Sequence, residues 1–520
     1  MTLKKEIKTK YFLISFVTAI LLLLVFSMPG ICMYIRAAEY TSFSELENKR
    51  IGVATGSVQA LQTEEQFPNA QLFYYSNDVD MLNALRTDKI DAFSSAEALV
   101  KYMMTENPDL TILDEKLADG MKVGAIFPKT ETGRKLCDEF SEFIKEIKSN
   151  GVYDEIQKTW FEGSEEERKA PDIDQLPGPN GKLRMAADVS MVPFVFVKDG
   201  KPAGVDIDTV YRFCKEYGYS LEIAPMDFAG ILPAITSGKC DFACSGIAYT
   251  AERAESVYYA EPSYEGGSVI AVLKAPDAAD TGFWASLMSS FEKTFIREKR
   301  WELFLTGTLN TILITLLAMV FGTVLGFVIY LLCRGGRKVA NVITGMCIWL
   351  VQGMPIVVLL MILYYIIFGS INLDGLWVSV IGFTLVFGAS MFGMIRSGTE
   401  AVGKGQLEAA YALGYSDRKT FFRIILPQAA QHFMPAYKGE VVSLIKGTAI
   451  VGYIAVLDLT KMADIVRSRT YEAFFPLIAV TVIYFLISGV FKLIVSVFAR
   501  QFNPKRRTKE QILKGVKTDD

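Results

Sequence analysis

A single histidine, His432, is found among the 520 residues. One imidazole cannot build a His-based metal site or a histidine-dependent triad. Seven cysteines are present but no CxxC pair. No GxxxxGK[ST] run occurs, so the chain cannot cradle ATP phosphates by that route, and "GPNGKL" at 178–183 has the wrong spacing. The net charge of −3 gives no general case for nucleic acid. With no nucleophile–base pair in view, no catalytic residue, metal or cofactor is assigned to this chain.

Apolar residues are abundant instead: 51% of the chain, with a mean hydropathy of +0.28. They are unevenly placed. Residues 40–300 have a soluble composition, whereas 303–498 is dominated by runs such as "ITLLAMVFGTVLGFVIYLL". The N-terminus pairs "MTLKKEIKTK" with the apolar run "YFLISFVTAILLLLVFSM", the pattern of an export signal. "IRAAE" offers cleavage after Ala37 or Ala38, and the run is also long enough to stay as an anchor. "PGIC" is a poor match to a lipoprotein signal at Cys32. Either way the soluble half is expected outside the cytoplasm. There Cys137, Cys214, Cys240 and Cys244 stand open to two readings, disulfide or buried free thiols.

Five spans are predicted, at about 303–332, 342–368, 376–395, 438–457 and 474–498. The basic segments "CRGGRK", "RKTFFR" and "RQFNPKRRTKEQILK" all fall on one side if the chain enters from outside at 303. Basic residues favour the cytoplasm, so this topology agrees with export of the first half.

Between the third and fourth spans lies "EAAYALGYSDRKTFFRIILPQA", 408–429. Good helix formers come first, and Gly414 suits the left-handed position that ends a helix. Ser416 and Asp417 can cap a second helix, with Pro427 expected to stop it. The spacing gives a thin helix–turn–helix crest, or simply an amphipathic loop over the helix ends. The stretch closely resembles the EAA loop of ATP-binding-cassette (ABC) importer permeases of the polar amino-acid family. "TGTLNTILITLLAMVFGTVLG", "GMPIVVLLMILYY" and "LIKGTAIVGYIAVLDLT" are similar to that family's spans. Gln352 and Asp458 depart mildly from its usual Arg and Glu. The resemblance implies that Glu408, Ala409, Ala410 and Gly414 form a coupling helix docking on a separate dimeric ABC ATPase, which binds the ATP. It also implies a permease homodimer. Glu440 and Lys446, near the start of the fourth span, are candidates for a translocation path. The alternatives are that Lys446 snorkels or that the two charges neutralise each other.

Residues 182–273 open with "LRMAADVSMVPFVFVKDGKPAGVDIDTVYRFCKEYGYSLEI", a strand, turn and helix pattern of an α/β lobe. This and "SGIAYTAERAESVYYAEPSY" resemble the first lobe of type II periplasmic amino-acid-binding proteins. An amino acid's carboxylate suits a guanidinium plus backbone donors, which Arg253 and Gly246 can supply. Thr250 precedes the helix carrying Arg253 and can cap it. Phe228 matches one aromatic wall and Asp188 matches its motif, while Met191 stands in place of the other stacking aromatic.

The other half comes first in the chain. "SELENKRIGVATGSVQ", "MLNALRTDKIDAF", "GMKVGAIFPK" and "FSEFIKEIKSNGVYDEIQKTWFEGS" resemble the family's second lobe and C-terminal end. That order is the pattern of a circular permutation, tolerated where termini meet at the surface. Two degenerate half-domains, or halves exchanged between protomers, are the competing readings. Ser57, in "TGS" at a helix start, would help receive a carboxylate. Ala96 stands where the ammonium-holding Asp is expected, with Glu97 one residue later. A buried ammonium without a carboxylate is costly. Either Glu97 shifts in or the solute is no ordinary α-amino acid.

The resulting expectation has two parts, a permuted two-lobe α/β binding-protein-like module and an all-α five-span transmembrane ABC permease. The segments are 1–38 signal or anchor, 39–163 lobe two with the family's C-terminal end, 164–181 linker, 182–275 lobe one and 276–302 linker. Then come 303–500 permease with coupling loop 400–430, and 501–520 a basic cytoplasmic tail. The function expected is the binding and permease subunit of an ATP-driven importer for a polar amino acid or related small solute. It is multi-pass in the cell membrane among lipids, with the binding module outside. A solute sensor that has lost transport and a ligand-gated channel are the alternatives, the latter without a TVGYG-like filter.

Overall fold

The computed structural model describes residues 40–501 apart from 165, 275–282, 336–337, 370 and 372. The expected signal or anchor, Cys32 and the basic tail beyond 501 lie outside the described residues. Two compact units form. Among the described residues, one holds 40–123, 248–250, 262–274 and 283–286, and the other holds 124–247, 251–261 and 287–501.

In the first unit a five-stranded sheet runs in the order Gln71–Tyr75, Arg50–Ala54, Ala92–Ala96, Tyr264–Leu273, Leu110–Val123. The first three strands are parallel, and Tyr264–Leu273 runs antiparallel to both of its neighbours. Short runs such as "RIGVA" supply strands buried on both faces, as parallel pairing requires. Helix α1 (Val58–Gln66) begins at Ser57, whose Oγ accepts the Ala60 N–H at 3.1 Å. Helices α2 (Asp78–Arg86) and α3 (Glu97–Glu106) follow. Leu46, Ile51, Phe67, Ala92, Leu113, Ile270 and Val272 form one core cluster.

The second unit opens with another five-stranded sheet, ordered Ser220–Pro225, Lys182–Ala187, Phe242–Ala243, Ile126–Pro128, Val257–Tyr259. Helix α4 (Glu131–Ser149) lays Leu136, Phe140, Phe143 and Ile147 along one helical face into its core. There Phe127, Phe140 and Phe143 meet Phe213 and Phe242 with ring centroids 5.0–6.4 Å apart. Helices α5 (Val205–Tyr217), α6 (Phe228–Thr236) and α7 (Ala251–Ser256) complete the α/β part. The segment boundaries expected from sequence therefore cut across the units: Tyr264–Leu273 belongs with the first sheet, and Ile126–Pro128 with α4 belongs with the second. Strand pairing is a long-range choice that local pattern does not encode.

The same second unit continues into α8 (Trp301–Cys333), α9 (Lys338–Gly353), α10 (Ile356–Met361), α11 (Gly375–Glu400), α12 (Lys404–Ala412), α13 (Leu426–Gly447), α14 (Leu459–Thr470) and α15 (Phe474–Gln501). Among the described residues, three helices are long and apolar enough to cross a membrane singly: α8, α11 and α15 over Phe474–Ala499, with mean hydropathies of 2.7, 2.0 and 2.4. Counting each bent helix pair as one span raises the number to five. At 33 residues, α8 is about 50 Å long, well beyond the ~30 Å hydrocarbon layer. Its Gly326 lies so close to α11 that an added Cβ would sit 2.5 Å from the Gly388 carbonyl oxygen. Small residues of this kind let membrane helices pack backbone to backbone.

Two of the expected spans are bent helix pairs rather than single straight helices. The second is broken at Met354–Pro355, where α9 and the following helix Ile356–Ile367 bend by 107°; proline disfavours helical geometry in the residue before it and cannot continue the ladder. Around the expected span at 438–457, helix runs through 426–447, tightens to 3₁₀ over Thr448–Ile454, and turns by 57° into α14 after left-handed Ala455. Pro427 does not stop the helix. It sits in the first turn of α13, directly after a widened π turn at Phe421–Ile425, and early helical positions do not need the N–H that proline lacks.

Candidate functional site

On the second unit, Asp188 directly follows the strand Lys182–Ala187 and Phe228 opens α6. Asp188 Oδ1 accepts the Ser190 N–H at 3.0 Å and its hydroxyl at 2.6 Å, and Oδ2 accepts the Phe228 N–H at 3.2 Å. That carboxylate is thus bound up in holding its own turn. Arg253, on α7, places its guanidinium 5.6 Å from the centre of the Phe228 ring, a cation–π approach. Met191 and Phe194 close over Gly246, where a Cβ would meet Phe194 at 3.2 Å and Met191 at 3.4 Å. So Asp188, Met191, Phe228, Gly246 and Arg253 are brought together on one unit.

The role expected of Gly246 is corrected. Its φ is +60°, and its N–H donates to Asp206 Oδ2 at 2.8 Å rather than standing free for a solute. Asp206 is 2% exposed, and burial pushes its carboxyl up to about 6. Sequence reading missed it. The available signal was an acid on the buried stripe that also carries Val210 and Phe213, in the first turn of α5.

On the first unit, Ser57 caps α1 as expected of "TGS". Glu97 opens α3 and is already engaged, its carboxylate meeting Lys101 at 2.7 Å and Lys116 at 3.0 Å. Those bonds, Lys101 first, hold its carboxyl below the usual range against the opposing effect of burial. Thr250 is the residue directly before α7.

The crest expected at 408–414 is present. Glu408, Ala409 and Ala410 lie on α12, with Ala410 buried and the other two exposed. Gly414 has φ +77°, the left-handed turn conformation that a side chain disfavours. The Tyr415 N–H returns to the Ala410 carbonyl at 3.0 Å. Ser416 takes the extended position before the second helix without a side-chain cap bond, and the Tyr411 hydroxyl bonds Asp417 instead. Leu413 is 76% exposed at the tip. Behind it, Phe421 stacks on Tyr330 of α8 at 5.8 Å and lies 4.2 Å beneath the Arg334 guanidinium.

Glu440 and Lys446 lie on α13, and no ion pair joins them among the described residues. Cys137, Cys214, Cys240 and Cys244 are buried free thiols in this structure. Among the described residues no three His, Cys, Asp or Glu side chains gather in a metal-holding group.

A lysine that sequence reading passed over joins the α/β part to the helices. Lys461 of α14 is buried, bonds Asp227 and lies 3.8 Å from Asp188 Oδ1. Nearby, Lys239 Nζ donates to the Ile371 carbonyl at 2.6 Å, and the Tyr365 hydroxyl donates to the carbonyls of Tyr453 at 2.9 Å and Gly230 at 3.3 Å.

Residues 183–474, more than half of the chain, match the bacterial extracellular solute-binding proteins, family 3. The chain belongs to that family and carries an ABC-type permease in the same polypeptide. A protein named as the glutamine transport system permease GlnP of Rickettsia bellii is 32% identical over 200 residues, 38% of this chain and 90% of that protein. The L-cystine transport system permease TcyB of Bacillus subtilis is 29% identical over 210 residues, 40% of this chain and 90% of its own length. The crystal structure of an amino acid ABC transporter with histidines is 32% identical, covers 39% of this chain and 95% of its own, and gives a TM-score of 0.36. This family 3 protein is an importer subunit of the membrane, with an extracellular binding part.

Proposed function

We propose that this chain captures a polar amino acid or related small solute outside the cell and passes it through a permease formed by two copies of itself. The observation that carries the reading is the composition of the second unit. It holds both a binding-protein lobe with Arg253 over Phe228 and the helices that match transport permeases. The relatives named for glutamine and cystine transport supply the solute class.

The binding part is read as a circular permutation. Support comes from the lobe-one core, built from Phe127, Phe140 and Phe143 before the 164–181 linker and from Phe213 and Phe242 after it. The Trp160 indole N–H donates to Asp208 Oδ2 at 3.1 Å across the same linker. On the second unit Arg253 holds a carboxylate and Phe228 forms a wall, with Met191 and Asp188 shaping the surroundings; on the first unit Ser57 and Thr250 are further candidate contacts. Glu97 is the candidate partner for an ammonium, in exchange for its lysines.

In the membrane the bent pairs each act as one span, giving five, with the 408–414 crest and the C-terminus cytoplasmic. Exposed Leu413 and Tyr411 beside Glu408 and Ala409 offer an apolar tip to a dimeric ATPase supplied by another chain, which binds the ATP. Glu440 and Lys446 remain candidates for the solute path.

The test is a melt of the full chain in lipid nanodiscs, with and without L-glutamine, L-arginine and L-cystine. A rise with one solute class, absent in Arg253→Ala, is expected. A wild-type melt that no member of the panel moves would overturn the solute-binding reading.

A further inference from the structure

We propose that Lys461 is a positioning residue that transmits occupation of the solute site to the membrane helices, an inference that rests on the function proposed above. Its ammonium is shared by two carboxylates, bonding Asp227 and standing 3.8 Å from Asp188. Both partners belong to the solute-site wall. Asp227 directly precedes Phe228, and Asp188 accepts the Phe228 N–H. A solute that stacks on Phe228 or draws Arg253 away from it moves the turn that presents both carboxylates.

The other end of the relay is equally specific. Lys461 stands in the first turn of α14, where Asp458 accepts the N–H groups of Thr460 and Lys461 at 3.0 and 3.1 Å. Asp458 also accepts the Tyr484 hydroxyl of α15 at 3.2 Å, and Tyr484 bonds the Thr460 hydroxyl at 3.0 Å. The Leu459 N–H donates to Thr311 of α8 at 3.2 Å, and Asn310 of α8 donates to the Leu457 carbonyl at 2.8 Å. A shift at the Lys461 head is therefore delivered at once to α8 and α15. An uncompensated buried charge is strongly disfavoured, so the lysine follows its carboxylates instead of parting from them. The relay acts only to the extent that the solute favours one arrangement of the turn over the other.

Hydrogen–deuterium exchange on the full chain in nanodiscs, with and without the same three amino acids, tests this. Two peptides are read: 228–236, which reports solute binding, and 459–470, which reports the relay. In the wild-type chain both are expected to respond, the second by about fivefold or more in exchange rate, the usual lower bound for coupled sites. In Lys461→Met the 228–236 response remains and that of 459–470 is lost, while Lys461→Arg keeps both. Asp227→Asn, which keeps the shape and removes one charge, weakens the 459–470 response. A 459–470 response that survives Lys461→Met, or one absent from wild-type chains whose 228–236 peptide responds, overturns the relay. Loss of both responses in Lys461→Met and Asp227→Asn also overturns it, because the pair would then serve the solute site or the fold. A wild-type chain in which neither peptide responds overturns the solute-binding reading, and the relay with it.

Discussion

The Gly246 amide donates to the buried Asp206 carboxylate at 2.8 Å, so the turn leading toward Arg253 is fastened from inside its own lobe. Nothing in the solute site needs to be present for that turn to form. A site prepared in advance avoids part of the ordering cost of binding.

The burial of the same carboxyl makes stability depend on pH, and the Gly246 bond only partly offsets it. Burial raises the Asp206 carboxyl from an ordinary 3.8 to about 6, so the folded chain holds that proton more tightly than the unfolded one. Its contribution is therefore fullest below 3.8 and is lost as the pH climbs through about 6, with no further change above. The loss is roughly 3 kcal/mol. Asp206→Asn keeps an oxygen for the Gly246 N–H and removes the titration. Melts of the full chain between pH 4 and 8 should fall across that interval in the wild type and stay flatter in the variant.

Cutting the 164–181 linker tests the permutation. The aromatic core and the Trp160–Asp208 bond hold the two sides together without it. A protease site inserted at Glu166 should yield two fragments that remain associated and keep the solute-induced rise in melting. Fragments that separate under native conditions would show that the linker itself holds the lobe together.

Much of this was legible in the sequence because it is local. Hydropathy placed the apolar stretches, and Gly414 marked its turn through φ +77°. What was not legible depends on partners distant in the chain. Tyr264–Leu273 reads as a strand, yet nothing local says that it joins the sheet of residues 50–123. Lys461 reads as an ordinary polar residue in "DLTKMADIV", because Asp227 lies 234 residues away. The bend of 107° at Met354–Pro355 was masked by composition, which is equally apolar on both sides of the break.

The lobe thiols give a simple check on packing. Burial pushes Cys137 to about 11 and Cys214 and Cys240 to about 12, and carries Cys244 well above the ordinary thiol value. Thiolate, the reactive form, is then scarce at neutral pH. All four should resist a water-soluble maleimide until the chain is denatured, and reductant should leave the melt unchanged, as peptide mass spectrometry and calorimetry would report.

Gly414 separates the crest from the binding site. Its left-handed backbone costs a side-chain-bearing residue about 1–2 kcal/mol, and a β-branched one more because its rotamers are stiffer. No atom lies within 4 Å of an added Cβ, so the penalty of Gly414→Val is backbone strain rather than collision. The strain bears on the return of the Tyr415 N–H to Ala410 and on the presentation of Leu413. Gly414→Val should therefore weaken capture of the partner ATPase by about tenfold, the effect of ~1.4 kcal/mol, while the solute-induced rise in melting is kept. Equal capture by both proteins, measured on immobilised full chain, would mean that the crest is not the ATPase contact. Loss of the solute response in the same variant would show instead that strain at Gly414 spreads through Phe421 and Tyr330 into α8.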